Sequence, residues 1–421
     1  LDRIGARGVK FDRAYCQFAL CNPSRQSFLS GLRPETSGAI AQGLTVRQSR
    51  PDVVYLPGLF RAHGYQVSGV GKIFHGNDAA SWDLYENGDS NSPQEKAALK
   101  GRAAVRARGE HGPEWQRVDD PDETMGDGIV ARRAVAMLRA AAREARPFFI
   151  AAGFRKPHLP WTAPRRFFDA FPRASIPVRS EPAMSGIPKI ALETDLVGKV
   201  APGEEWQAEA AYYACISFID AQICLVLDTL DELRLWNRTV VVLLSDHGFH
   251  LGDHGLWGKL TTFERSARVP LLIAPPRARH AGATSRRIVE LIDLYPTLTD
   301  LCGLPTPHHL EGRSLRPLLA APDAAWNHPA YTATIHQGVI GRSVRTDRWR
   351  YTEWGAGVAV ELYDHLADPG EYRNLAVDPA RAGEITGLKK LLAVPPRIEK
   401  IPADAQSERK GKKKNSSPVT P

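Results

Sequence analysis

Cys21-Asn22-Pro23-Ser24-Arg25-Gln26-Ser27-Phe28-Leu29-Ser30-Gly31-Leu32-Arg33-Pro34 is the stretch that orders the rest of the chain. A cysteine is followed two residues on by proline, then by Ser24-Arg25, and one turn later by Leu29-Ser30-Gly31. Pro23 fixes its own φ and biases Asn22 toward an extended shape, so Cys21 is expected on a turn. Ser24 to Leu29 then reads as a helix start, which puts Cys21 near a helix N-terminus, where an anion is favoured. Most lone cysteines are buried, inert thiols. The crowding of Pro23, Ser24, Arg25, Leu29 and Gly31 around this one points to chemistry instead.

The 421 residues are 43% hydrophobic and 24% charged, a globular composition with room for one large domain and a smaller one. The net charge is +8, but Arg409, Lys410, Lys412, Lys413 and Lys414, less Glu408, put half of that in the C-terminal tail. A mildly basic body argues against a dedicated nucleic-acid binder and is compatible with a polyanionic substrate. Five cysteines, odd in number and widely spaced, imply no disulfide framework. Cys215 and Cys224 share one apolar helix and read as core. No apolar run reaches about 18 residues, so no membrane span is expected. The chain opens without a signal peptide or an initiating Met, and Leu1 to Val9 reads as helix, closed by Gly8.

Outward from the opening stretch, the pattern alternates. Tyr55 to Gly64 reads as a short helix and Gln66 to Val70 as a strand, with Gly71-Lys72-Ile73-Phe74-His75 at its end. Residues 86–128 read as a polar surface excursion. Asp127 to Ala145 has amphipathic helical spacing. Pro147 to Ala152 is a continuous apolar strand of the kind covered on both faces, followed by Arg155-Lys156-Pro157-His158-Leu159-Pro160-Trp161. Trp206 to Leu235 is a long helix, apolar nearly all round and hence expected to be buried. Thr239 to Leu244 is another apolar strand, ending in Ser245-Asp246-His247-Gly248. Val269 to Ala274 is a further strand and Val289 to Leu301 a helix closed by Gly303.

This alternation predicts an α/β fold with a doubly wound, mostly parallel central sheet flanked by helices. Three polar clusters at carboxyl ends of strands are where such sheets place active sites. After Pro322 the texture changes to short strands at 331–334, 339–344, 349–354 and 358–363, a small antiparallel subdomain. The expected division is 1–321 for the α/β domain, 322–400 for the C-terminal subdomain and 401–421 for a disordered basic tail.

Asp246 follows a buried strand, where a carboxylate needs a partner, so it is either a metal ligand or a cap. His247, His250 and His254 have helical spacing, but Gly248, Gly252 and Gly255 break any helix, so the later residues, His250, Asp253 and His254, read as loop and supporting shell. Lys72, His75, His158 and Lys259 lie in Gly- or Pro-rich segments near strand ends. Together with Arg25 they have the chemistry to hold an anion and to move a proton.

The motifs together resemble type I sulfatases, whose core reads Cys-X-Pro-Ser-Arg followed by Leu-(Thr/Ser)-Gly. Gly71 to His75, Lys156 to Pro160, Ser245 to Gly248 and Gly255 to Lys259 resemble the iduronate-2-sulfatase branch, and Glu361 to Asp364 with Asp368-Pro369-Gly370-Glu371 and Asn374-Leu375 resembles the sulfatase C-terminal subdomain. The resemblance implies a sulfuric ester hydrolase acting on a sulfated sugar or glycosaminoglycan-like polysaccharide. It implies that a formylglycine-generating enzyme reads the unfolded segment and oxidises Cys21 to formylglycine, whose hydrate is the nucleophile. By the same resemblance Arg25 and Lys72 hold that group and the sulfate, His75 assists the elimination step, and His158 and Lys259 bind sulfate, one of them near the leaving oxygen. Asp246, His247 and the Cys21-derived oxygen hold a calcium ion, an unusual use of histidine by a hard cation. A periplasmic or secreted location is implied as well.

One departure stands out. Sulfatases carry two adjacent calcium-binding aspartates on a first strand that would precede Leu1, so the sequence reads as a sulfatase truncated at its N-terminus and impaired as an enzyme. A phosphatase or phosphonate hydrolase of the same superfamily, or a non-catalytic protein that binds sulfated glycans, are the alternatives. The sugar itself would be chosen by residues 86–128 and 173–204.

Overall fold

The computed structural model describes residues 1–76, 78–87, 97, 115–177, 181–193 and 200–395. The polar excursion read at 86–128 falls partly outside these residues, and the basic tail from 401 wholly outside. The described strands are, in chain order, β1 (Val9–Tyr15), β2 (Gln66–Gly71), β3 (Leu84–Glu86), β4 (Trp115–Val118), β5 (Phe148–Gly153), β6 (Trp161–Pro164), β7 (Val241–Leu244), β8 (His250–Leu251), β9 (Trp257–Gly258), β10 (Arg268–Ala274), β11 (Ala283–Glu290), β12 (Ala330–His336), β13 (Val339–Arg345), β14 (Trp349–Trp354) and β15 (Ala359–Asp364).

The α/β part carries two principal sheets. One has the order β11-β1-β10-β7, with β1 parallel to β11 and β10 antiparallel to both of its neighbours. The other has the order β3-β2-β5 and is parallel throughout. Side chains alternate across β10, because successive strand residues point to opposite faces. Leu271 and Ile273 pack with Phe28, Leu29 and Leu294 on one side. Leu272 and Ala274 pack with Ile219, Ile223 and Leu227 on the other. Helices therefore cover both faces, which is the α/β architecture expected.

Three local readings are corrected. The first helix is only Asp2–Gly5, and Val9 already opens β1, so Gly8 is not a helix cap. The stretch read as a helix from Val289 divides into the end of strand β11, a 3-10 turn at Leu291–Asp293 and the helix Leu294–Leu301. Strand β11 escapes a sequence reading because Thr284, Arg286 and Arg287 interrupt its apolar pattern. The long helix Glu205–Glu232 is not buried all round. Ala208, Ala211, Cys215, Phe218 and Leu227 are buried, while Leu225 and Asp228 are exposed. By length and composition this helix is apolar enough to cross a membrane. Here its inner residues pack against the sheet, and Asp228 and Asp231 pair with Arg3.

Strands β5 and β7 each lie at the edge of their sheet, with a strand partner on one side only among the described residues. Every residue of both strands is half-buried although their sequences, Phe-Phe-Ile-Ala-Ala-Gly and Val-Val-Leu-Leu, suit a strand covered on both faces. Phe148 and Ile150 of β5, and Val241 and Leu243 of β7, rest on the same apolar cluster of Ile219, Ile223 and Leu227.

The C-terminal sheet β12-β13-β14-β15 is antiparallel, in the register expected for a meander. Helix Ala382–Leu392 covers it through Leu388 and Leu392 against Tyr331, Val344, Tyr351 and Leu362. A buried ion network fastens this sheet to the rest. Arg350 donates from Nε to Glu371 (2.5 Å) and from Nη2 to Glu264 (2.6 Å), and the Glu264 backbone N–H donates to Glu371 (2.6 Å). Arg350 and Glu371 are fully enclosed, so each charge depends on its partners.

Candidate active site

Cys21 opens helix Cys21–Ser30, and Gly31 closes it in the left-handed conformation. This corrects the expectation of a turn before a helix at Ser24. Pro23 lies in the first turn, where its missing N–H costs nothing, so Asn22 and Pro23 are helical. The sulfur is nearly inaccessible, with Cys21 2% exposed.

Four strand ends deliver the other groups. At the end of β2, Gly71 adopts φ +78°, and a Cβ there would meet the Gly153 carbonyl at 2.3 Å. The glycine pair lets β2 and β5 approach closely, and the Lys72 N–H donates to the Gly153 carbonyl (2.7 Å). This aims Lys72 Nζ at Cys21 Sγ, 3.5 Å away. Beyond β5, the carboxylate of Asp127 accepts from the N–H groups of Arg155 (2.6 Å) and Lys156 (3.0 Å) and so shapes the loop bearing His158. His158 donates from Nδ1 to the Leu159 carbonyl (2.7 Å) and turns its other face to the Cys21 thiol. Beyond β7, His247 donates from Nδ1 to the Gly248 carbonyl (2.7 Å). That leaves Nε2 as an acceptor facing Cys21 Sγ (3.3 Å). Lys259, just after β9, places Nζ 2.9 Å from Cys21 Sγ and 2.8 Å from His247 Nε2.

Arg25 has a different task from the lysines. Its Nε donates to Asp246 Oδ2 (2.8 Å), and its Nη1 donates to the carbonyls of Ile73 (2.9 Å) and Lys72. One guanidinium thus ties the helix of Cys21 to the ends of β2 and β7. Ser24 adds a bond to the Asp246 carbonyl. His75 stands at the solvent-facing rim, within electrostatic reach of Lys72 and Cys21 but with no hydrogen bond to the sulfur.

The electrostatics follow from the basic groups gathered around one buried carboxylate. Burial alone would raise the Asp246 carboxyl, but Arg25, His247, Lys259 and Lys72 overturn this and hold it far below the usual range. Burial and Asp246 push the Cys21 thiol up, and contacts with His247 and His158 outweigh them, so the thiol titrates well below an ordinary cysteine. Burial lowers Lys72, and it lowers His75 with the help of the Lys72 charge. At His158 the Cys21 contact favours the charged ring, yet burial and the charges of Lys72 and Lys259 prevail and bring it down. The site is poised for an anion.

Ligand atoms of Cys21, Asp246 and His247 lie within 4.8 Å of one another, a group able to hold a metal ion. The His247 lone pair suits that role. One carboxylate is a small part of the six to eight oxygens that a calcium ion takes, so these residues supply part of a shell. A second such group, Glu264, His365 and Glu371, is occupied by Arg350 and belongs to the ion network between the sheets. The site therefore assembles Cys21, Arg25, Lys72, His158, Asp246, His247 and Lys259, with His75 at its rim. His250 and His254 stay apart, His250 on Thr261 (2.8 Å) and His254 stacked on Phe263 and Tyr372. Asp127, buried in the structure, is the supporting residue that sequence reasoning missed, its only sequence signal being an acid in the first turn of helix Gly126–Ala141.

Comparison with known proteins identifies the family and the fold. The family described as Sulfatase matches residues 1–304, and N-sulphoglucosamine sulphohydrolase, C-terminal, matches residues 252–395. The chain is similar to a sulfatase of Formosa agariphila, 31% identical over 419 residues and covering 93% of this chain and 80% of that one. It is similar to the iduronate 2-sulfatase of Mus musculus, 29% identical over 92% of this chain and 88% of the relative. A structure solved in complex with its substrate D-glucosamine-2-N,6-O-disulfate has the same fold, with a TM-score of 0.74 at 23% identity over 93% of this chain and 91% of that one. With the family matched over most of its length, the chain belongs to the sulfatases and is a sulfuric ester hydrolase.

Proposed function

We propose that this sulfatase removes sulfate from a sulfated sugar or a glycosaminoglycan-like polysaccharide, with Cys21 converted to formylglycine as its nucleophile. The observation that carries this reading is the convergence on one sulfur. Lys259 Nζ, His247 Nε2 and Lys72 Nζ stand 2.9, 3.3 and 3.5 Å from Cys21 Sγ, which marks where the nucleophilic oxygen would sit. Similarity to an iduronate 2-sulfatase and to a structure that binds a disulfated glucosamine supports the sugar as substrate class.

The residues divide the work. Lys72 and Lys259 hold the sulfate oxygens where negative charge develops. His158 or Lys259 supplies a proton to the leaving oxygen, and His75, at the rim, takes a proton as sulfate departs. Arg25 positions Asp246 and the Lys72 segment rather than touching substrate, since its Nε and Nη1 are already committed. A formylglycine hydrate offers two hydroxyls on one carbon, one to attack and one to release the product. Asp246 and His247 would hold a calcium ion, which polarises a sulfate oxygen when bound. Family resemblance supports a periplasmic or secreted setting.

The test is to express the protein with a formylglycine-generating enzyme, weigh the peptide holding Cys21, and assay an aryl sulfate beside the matching phosphate ester. Conversion with sulfate release that disappears in Cys21→Ala supports the proposal. Unmodified thiol throughout, or a phosphate ester turned over much faster than the sulfate, refutes it.

A further inference from the structure

Strand β12 lies in the C-terminal sheet, yet three of its side chains act on the segments that carry the nucleophile and Lys259. Thr332, Thr334 and His336 occupy alternate positions and so share one face of the strand. Thr332 Oγ1 donates to the Cys16 carbonyl (2.7 Å). Thr334 Oγ1 and His336 Nε2 both donate to the Leu260 carbonyl, each at 2.6 Å. A carbonyl has two lone pairs, and this one has both engaged. The backbone of β12 joins in, with Ala333 N–H donating to the Gln17 carbonyl (2.8 Å) and Ala19 N–H donating to Ala333 (3.4 Å). Phe18, Leu20, Leu260 and Ala333 close into one buried apolar cluster.

Leu260 is the residue next to Lys259, and its backbone is strained, with φ at +73°. A leucine does not hold a left-handed conformation unless its surroundings impose it. Three contacts impose it: Leu260 N–H donates to the Ala19 carbonyl (3.1 Å), and its carbonyl is gripped by Thr334 and His336. All three restraining residues are fully or nearly fully buried. Without the grip the backbone at Leu260 relaxes toward negative φ, and the Lys259 side chain swings with it.

We propose that Thr334 and His336 are positioning residues for Lys259, so that the C-terminal sheet sets the distance between the lysine ammonium and the nucleophile. The inference rests on the role assigned above to Lys259. Displacement of a charged donor by about 1 Å costs up to about a hundredfold in rate.

The experiment uses the full chain produced with a formylglycine-generating enzyme and compares Thr334→Val, Thr334→Ser, Lys259→Ala and the Lys259→Ala/Thr334→Val pair. Thr334→Val is expected to lower kcat for an aryl sulfate by about tenfold to a hundredfold with KM changed less than about threefold. Thr334→Ser, which keeps the hydroxyl, restores kcat to within about threefold. In the Lys259→Ala background the valine costs less than about twofold, because its effect passes through the lysine. Hydrogen exchange of the Leu260 and Thr261 amides provides a measure independent of turnover and accelerates in Thr334→Val. Equal losses in both backgrounds, or wild-type kcat with unchanged exchange at Leu260, overturn the proposal. Should Lys259→Ala keep full activity, the role of the lysine falls, while faster exchange at Leu260 still upholds the grip of β12 on that backbone.

Discussion

Replacing Arg25 with lysine separates a positioning role from substrate contact. The guanidinium of Arg25 makes one charged bond to Asp246 and two to the carbonyls of Lys72 and Ile73, and the side chains of Arg25 and Asp246 are only 13% and 12% exposed. A lysine keeps the positive charge but lacks the planar fork, so it reaches one of the three acceptors. Two buried carbonyls lose charged donors, at about 1.5 kcal/mol each, for a total near 3 kcal/mol. With about 2.1 cal/mol/K of unfolding entropy per residue over 421 residues, this lowers Tm by about 3 °C. Because the loosened segment carries Lys72, kcat for an aryl sulfate falls with it, by about a hundredfold. The assay pairs thermal unfolding followed by circular dichroism with initial rates at saturating substrate. An unchanged Tm accompanied by a large rise in KM would show that the guanidinium grips sulfate directly, and the reasoning would fail.

The remaining predictions concern charge. Lys72→Ala and Lys259→Ala each lower kcat by about a hundredfold to a thousandfold while leaving Tm within about 2 °C, since each removes a donor to a developing anion rather than a structural bond; parallel losses of rate and Tm would contradict this. Asp246→Asn weakens calcium binding, read by calorimetry, at least about tenfold, whereas Lys72→Ala leaves it as strong or stronger because one repelling cation is gone. Glu361, fully buried between Trp354 and Tyr363, has its carboxyl pushed up to about 7 by burial. The folded state thus holds a proton that the unfolded chain releases near pH 4.5, so this group favours folding below that pH and the advantage is lost as pH rises toward 7. Glu361→Gln is expected to flatten the fall of Tm between pH 4.5 and 7, and a slope identical to the parent would refute the assignment.

Much of this site is legible in the sequence because its residues sit beside glycine and proline at strand ends. Gly71-Lys72 and the Gly153 that faces it record a close backbone approach, and Asp246-His247-Gly248 records a buried strand that ends in charge. The C-terminal strands are equally plain, since each is a short run set off by turn residues. The polar strand β11 is not, because its pairing with β1 overrides its composition. Nor does the helix opening at Cys21 follow from local preference, since Pro23 reads as a break until its place in the first turn is known. The grip of Thr334 and His336 on Leu260 joins residues more than seventy positions apart, and no local pattern encodes it.

The order of these parts along the chain sets a clock. Cys21, 2% exposed, is sealed in a helix whose neighbours are all buried except Arg25. The strand that locks down its flank, β12, comes about three hundred residues later. At about 5–20 residues per second, synthesis leaves roughly 15–60 s between emergence of the cysteine and arrival of the last piece that encloses it. The modification proposed for Cys21 therefore competes with folding for a fixed interval, and a molecule that closes first is committed to an unconverted thiol for as long as it stays folded. Slowing closure, for instance with Thr332→Ala at the contact with Cys16, should raise the converted fraction even as it weakens the finished enzyme.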